Sequence, residues 1–147
     1  MTNNGNNKTL GGGGLHHVAI RTQDLDASVK FYTEVLGMKT VVAFKPDERS
    51  FAQLDAGDGS IVELMQDDQP VEPAAERNVH WHYALRTTKI EKVMAAVEAA
   101  GMEITIPTKA VTLTNTATDP PSPLPVKVAF FKGPSGEVVE LFQTEPV

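Results

Sequence analysis

Two hexapeptides far apart in the chain are nearly the same. His17-Val-Ala-Ile-Arg-Thr22 is echoed by His82-Tyr-Ala-Leu-Arg-Thr87, and each leads into an amphipathic pattern that stops at a Gly-Met pair, Gly37-Met38 and Gly101-Met102. Later in each half, Asp58-Gly-Ser-Ile-Val-Glu-Leu-Met-Gln66 aligns with Ser135-Gly-Glu-Val-Val-Glu-Leu-Phe-Gln143. Self-similarity of this kind means that one supersecondary unit has been used twice. A chain of 147 residues has room for two such units sharing a fold, and for little else.

The order of elements within each copy follows from periodicity. Leu15 to Arg21 alternates as a strand, with Val18 and Ile20 on one face and His17 and Ala19 on the other. Asp24 or Asp26 can cap a helix predicted over 25–36, whose apolar stripe is Val29, Tyr32, Val35 and Leu36, with Phe31 beside it. Gly37 is suited to the left-handed residue that ends it. Strands are expected over 39–44, 50–55 and 61–66, the last two joined by the tight turn Gly57-Asp-Gly59. The second copy repeats this with a strand over 79–86, a helix over 88–100 and a strand over 102–106 ended by Pro107. A mostly irregular stretch from Pro107 to Pro125 follows, with a short strand near 110–113. A closing hairpin covers 126–132 and 138–143.

The fold class is therefore α+β: two βαβββ modules in pseudo-twofold repeat, forming a curved mixed sheet around a cleft. The first module covers 15–69, an acidic linker with Pro70 and Pro73 covers 70–78, and the second module covers 79–147. Residues 1–14, dominated by Asn and Gly, read as a disordered tail without the basic-then-apolar order of a signal peptide.

Composition narrows the chemistry. A formal net charge of -6 speaks against a nucleic-acid partner, and no apolar run has the length of a membrane span. The expected setting is cytoplasmic. With no cysteine, any metal has to be held by His and carboxylate.

Four such groups recur in matching places. His17 opens the first strand of one module and Glu63 lies in its last; His82 and Glu140 do the same in the other. Singly, each has a plain structural reading: a hydrogen-bonded strand histidine or a solvent-facing glutamate. Their joint recurrence, each glutamate between two apolar residues, favours a metal cradle, because a buried carboxylate needs a partner such as a cation. Two nitrogens and two oxygens suit Ni2+, Zn2+, Mn2+, Co2+ or Fe2+. His16 is expected on the opposite side of the strand from His17, His80 on the same face as His82, and Trp81 in the core rather than at a substrate.

Residues 15–37, Leu-His-His-Val-Ala-Ile-Arg-Thr-Gln-Asp-Leu-Asp-Ala-Ser-Val-Lys-Phe-Tyr-Thr-Glu-Val-Leu-Gly, together with Phe131-Lys-Gly-Pro-Ser-Gly-Glu-Val-Val-Glu-Leu-Phe-Gln143, resemble the opening and the ending of vicinal oxygen chelate modules. This is the superfamily of glyoxalase I, bleomycin resistance proteins and extradiol dioxygenases. The resemblance covers 15–145. It implies paired βαβββ modules with a divalent metal held by His17, Glu63, His82 and Glu140, a ligand set similar to that of bacterial glyoxalase I. It further implies a lyase or isomerase acting through an enediolate, with Glu140 as the catalytic proton shuttle and Arg21 binding an anionic part of a small substrate. A homodimer is expected, with modules pairing within or between chains. Where that enzyme often has an asparagine for glutathione, this chain has Asp67, whose charge repels an anionic tripeptide. The alternatives are an acyl-CoA epimerase or another metal enzyme of the superfamily, and a metal-free drug-binding resistance protein. The last is disfavoured by the few aromatics, one Trp, two Tyr and six Phe.

Overall fold

The structure is a computed structural model that describes residues 6–9, 15–70 and 79–145. Apart from 6–9 and residue 70, the tail expected over 1–14 and the linker expected over 70–78 lie outside the described residues. The chain divides into two compact units, Met1–Val71 and Glu72–Val147.

The first unit runs β1 (His17–Thr22), α1 (Leu25–Lys30), a π-helical turn (Phe31–Val35), β2 (Lys39–Phe44), β3 (Phe51–Asp55) and β4 (Ile61–Gln66). The second runs β5 (Tyr83–Arg86), α2 (Ile90–Ala99), β6 (Ile104–Asn115), β7 (Ser122–Lys132) and β8 (Val138–Thr144). Each is a βαβββ module with a four-stranded mixed sheet, ordered β1-β4-β3-β2 in one and β5-β8-β7-β6 in the other. The first and last strands of a unit are parallel neighbours, and the remaining pairs are antiparallel. The α+β class and the repeated module expected from the sequence are both present.

Each helix packs on one face of its sheet. Tyr32, Leu54 and Leu64 are fully buried in the first unit, and Ile90, Val97, Ala129, Phe131 and Val139 in the second. Both helices are tied to the end of their last strand by the same device. The backbone N–H of Leu25 donates to Gln66 Oε1 at 2.9 Å, and that of Ile90 donates to Gln143 Oε1 at 3.0 Å. Each bond satisfies a helix-start donor that has no partner within the helix. In the first unit Asp24 Oδ1 also accepts from Ala27 N–H at 2.9 Å, whereas the N-cap of α2 is Lys89, which has no capping side chain.

Three local expectations are corrected. The helix over 25–36 is α-helical only to Lys30 and then widens: Leu36 N–H donates back to Phe31 O, and the Thr33 hydroxyl occupies the Val29 carbonyl at 2.8 Å. A side chain that takes a ladder carbonyl in this way favours a wider turn. Pro107 does not end its strand. β6 continues through it to Asn115, because the register slips between Ile106 and Lys109 and a bulge asks no donor of the proline. The long irregular stretch is therefore mostly a β6–β7 ribbon with a loop over 116–121. Conversely, the strand expected over 79–86 begins only at Tyr83, where its ladder with β8 starts at the Tyr83–Val139 pair.

Candidate metal-binding half-sites

In the first unit the parallel register of β1 and β4 sets Ala19 opposite Glu63 and Arg21 opposite Met65. His17, Ala19, Arg21 and Glu63 thus share one face, while Val18, Ile20 and Thr22 turn inward. His17 Nε2 stands 3.9 Å from Glu63 Oε1, and Glu63 is only 8% exposed. The other carboxylate oxygen, Oε2, accepts from Gln53 Nε2 at 2.7 Å. Gln53 reaches it because β3 places it directly across from Glu63. His16 Nδ1 and His17 Nδ1 are 2.9 Å apart, so His16 does not point away from its neighbour as alternation predicts. His16 precedes the strand, although its carbonyl still accepts from Ile61 N–H at 3.2 Å.

The second unit repeats the placement with different company. Ala84 lies opposite Glu140, and His82 stands just before the strand. His82 Nε2 is 2.9 Å from Glu140 Oε2, and both side chains are mostly buried. His82 Nδ1 is buried and has no hydrogen-bond partner among the described residues. The residue across from Glu140 is Phe130, which has no donor to offer. Trp81 lies parallel to Phe130 with ring centroids 5.8 Å apart and meets His82 edge-on at 4.3 Å. It is 56% exposed, which corrects its expected place in the core: ahead of the ladder, its ring turns onto the face that carries Phe130. His80 is exposed as well.

Each unit therefore brings together one imidazole and one carboxylate from the predicted set. Among the described residues no further His, Asp or Glu joins either pair to make a group of three. The donors fit a divalent cation of borderline hardness, and a carboxylate as buried as Glu63 is held at lower cost beside a positive charge.

Arg21 lies on the His17 face but is engaged, with Nε 3.4 Å from Asp67 Oδ2. Asp67 is thus not a bare repelling charge. Arg49 also senses Asp67, while its main partner is Asp47, whose carboxyl is held at about 2 by the Arg49 hydrogen bonds.

Gln53 and Phe130 were not singled out in the sequence. The signal was available, because Gln53 and Glu63 are equally distant from Asp58 at the hairpin turn, as Phe130 and Glu140 are from Ser135. Counting across an antiparallel hairpin finds the residue that faces a candidate ligand.

Residues 14–141 match the family described as the Glyoxalase/Bleomycin resistance protein/Dioxygenase superfamily. A Vibrio cholerae protein named "Probable lactoylglutathione lyase" is 30% identical over 139 residues, covering 88% of this chain and 89% of that protein. "Lactoylglutathione lyase GLX1" of Arabidopsis thaliana is 30% identical over 140 residues, and the aligned region is 88% of this chain but 44% of the plant protein's length. The crystal structure of a glyoxylase/bleomycin resistance protein/dioxygenase domain from Frankia shares the fold with a TM-score of 0.73 at 22% identity, covering 90% of this chain and 93% of that one. None of the helices among the described residues is long and apolar enough to cross a membrane. With two βαβββ modules and a match over nearly its whole described length, the chain belongs to the glyoxalase/bleomycin resistance/dioxygenase superfamily.

Proposed function

We propose that the protein is a metal-dependent lyase or isomerase of the glyoxalase I type, acting on a small oxygenated substrate. The observation that carries this reading is the recurrence, in both units, of one histidine and one nearly buried glutamate in contact on the same sheet face. His17, Glu63, His82 and Glu140 together would hold one divalent ion among Ni2+, Zn2+, Mn2+, Co2+ and Fe2+, within a chain or between two chains. When bound, the ion supplies Lewis-acid polarisation of a substrate oxygen.

The side chains of this chain supply the remaining steps. Glu140 has no donor across the hairpin and is bonded to His82 instead, so it turns to the substrate once that pair parts. It takes a proton from the carbon next to the substrate carbonyl and returns it to the neighbouring carbon. Glu63, held by Gln53, stays in place as a ligand. Arg21 meets an anionic substrate group once it is released from Asp67. Names of relatives at about 30% identity support the lyase assignment.

The test is turnover of the methylglyoxal–glutathione hemithioacetal, followed by absorbance, with Ni2+ or Zn2+ added to metal-free protein. The expected outcome is metal-stimulated turnover, weaker metal binding in Glu140→Gln and a fall of about 10²–10⁴-fold in kcat for that variant. Turnover indifferent to every added metal sinks the reading.

A second reading has one observation in its favour. The exposed Trp81 stacked on Phe130 is a flat apolar surface beside His82, and it suits sequestration of an aromatic compound without catalysis. Equilibrium dialysis with a flat aromatic drug, run on metal-free protein, separates the two: tight binding without metal favours sequestration.

A further inference from the structure

Beyond the four proposed ligands, and resting on that reading, we infer that Gln53 and His16 are positioning residues that make the first unit the pre-set half of the metal site. Both ligand groups of the first unit have their outward atom tied. Glu63 Oε2 accepts from Gln53 Nε2 at 2.7 Å, and His17 Nδ1 meets His16 Nδ1 at 2.9 Å. Only the NH2 end of the Gln53 amide can face a carboxylate oxygen, so the direction of that bond is fixed by chemistry. For His17 Nε2 to offer its lone pair to a cation, the ring proton must sit on Nδ1, where it donates to His16 Nδ1. The contact accommodates the metal-binding tautomer when His17 Nδ1–H donates and His16 Nδ1 accepts. What remains free is His17 Nε2 facing Glu63 Oε1 across 3.9 Å. That gap is too long for a hydrogen bond, so no bond between the two has to break when a cation enters.

The second unit lacks both supports at the equivalent positions. Trp81 stands where His16 does, immediately before the histidine, and Phe130 stands where Gln53 does, across from the glutamate. Trp81 has only an N–H donor and cannot accept from a histidine Nδ1–H, and Phe130 has no donor for a carboxylate. Accordingly His82 Nε2 closes to 2.9 Å on Glu140, and its Nδ1 is buried without a partner. This pair has to part before either member can take a metal. One unit is therefore open to a cation and held open, and the other is closed on itself. Partners of this kind around ligands typically change metal affinity by about 10- to 100-fold.

The experiment is a titration of metal-free full-length protein with Co2+, read by the visible absorption of the bound ion, alongside thermal melts of the metal-free chain. Gln53→Met keeps the length of the side chain and removes the donor; Gln53→Leu is the second variant should the first fail to fold. The expected result is a Kd for Co2+ raised about 10- to 100-fold in Gln53→Met, with a metal-free Tm unchanged from the native chain. His16→Phe should move the Kd in the same direction. A Kd within twofold of native in a folded Gln53 variant overturns the inference and leaves the proposed function standing. A lowered affinity matched by a lowered metal-free Tm also overturns it, because Gln53 would then be merely structural. A native chain that takes up no Co2+ overturns the inference and the proposed metal site together.

Discussion

Glu63 and Glu140 sit at the same place in two copies of one pattern, and what faces each of them separates their behaviour. A carboxylate that accepts an amide bond at 2.7 Å is fixed across the hairpin, while one whose neighbour there is a phenylalanine turns to the histidine beside it. Arg21 and Asp67 raise a related question of competition, since the arginine cannot fully serve a substrate while its Nε lies 3.4 Å from an internal carboxylate. Asp67→Asn should lower KM for an anionic substrate, and Arg21→Ala should raise it, each by up to about fivefold. An ion pair as exposed as this one is worth only about 0.2–1 kcal/mol. Steady-state kinetics with an anionic and a neutral substrate would check this, the neutral one showing no change. At this scale the sequence was informative wherever a residue recurred. The pairing of His17 with Glu63 and of His82 with Glu140 was legible from the repeat. The groups beside each pair were not legible from the repeat itself, because His16 and Trp81, like Gln53 and Phe130, are where the copies differ.

Among the elements, the bond from the last strand to the helix start is the feature that both units share most closely. Gln66 and Gln143 each accept from the first helical N–H, but α1 has Asp24 as a second cap and α2 has only Lys89. Gln143→Leu should therefore destabilise its unit by about 0.5–1.5 kcal/mol. Gln66→Leu should cost at least as much, because Asp24 caps Ala27 N–H rather than Leu25 N–H, and Gln66 Nε2 also donates to Gln23 O at 2.7 Å. Chemical denaturation of the two variants side by side measures the difference. A smaller loss in Gln66→Leu would show that the Asp24 cap compensates. Helix and strand patterns predicted most elements, since alternation and 3.6-residue periodicity record which face meets the core. Pro107 misled because a proline stops a ladder only where its nitrogen must donate, and whether it sits in a bulge is settled by the facing strand rather than by local sequence. The early start expected for β5 failed for a similarly non-local reason, as its ladder with β8 begins only at the Tyr83–Val139 pair.

For the whole molecule, the repeat predicted two βαβββ modules, and the two sheets follow that plan. The manner in which modules pair is not written in either copy, because each copy specifies its own sheet and helix and holds only one of the two His–Glu pairs. A pair of chains is the expected assembly, and light scattering of the purified protein should return a mass near 32 kDa, twice the 15.9 kDa of one chain. A mass of one chain under all conditions would confine the proposed site to modules of the same molecule. The identity of the substrate was equally out of reach of the sequence, since the fold supports several reactions and selection lies in the groups around the ligands. Trp81 bears on this in a practical way. It is the only tryptophan in the chain, and its ring lies edge-on to His82. The protein's indole emission therefore comes from one position, beside a proposed ligand, and needs no label. A quench by paramagnetic Co2+ or Ni2+ that Zn2+ does not cause would read out occupancy of the proposed site from its second-unit side.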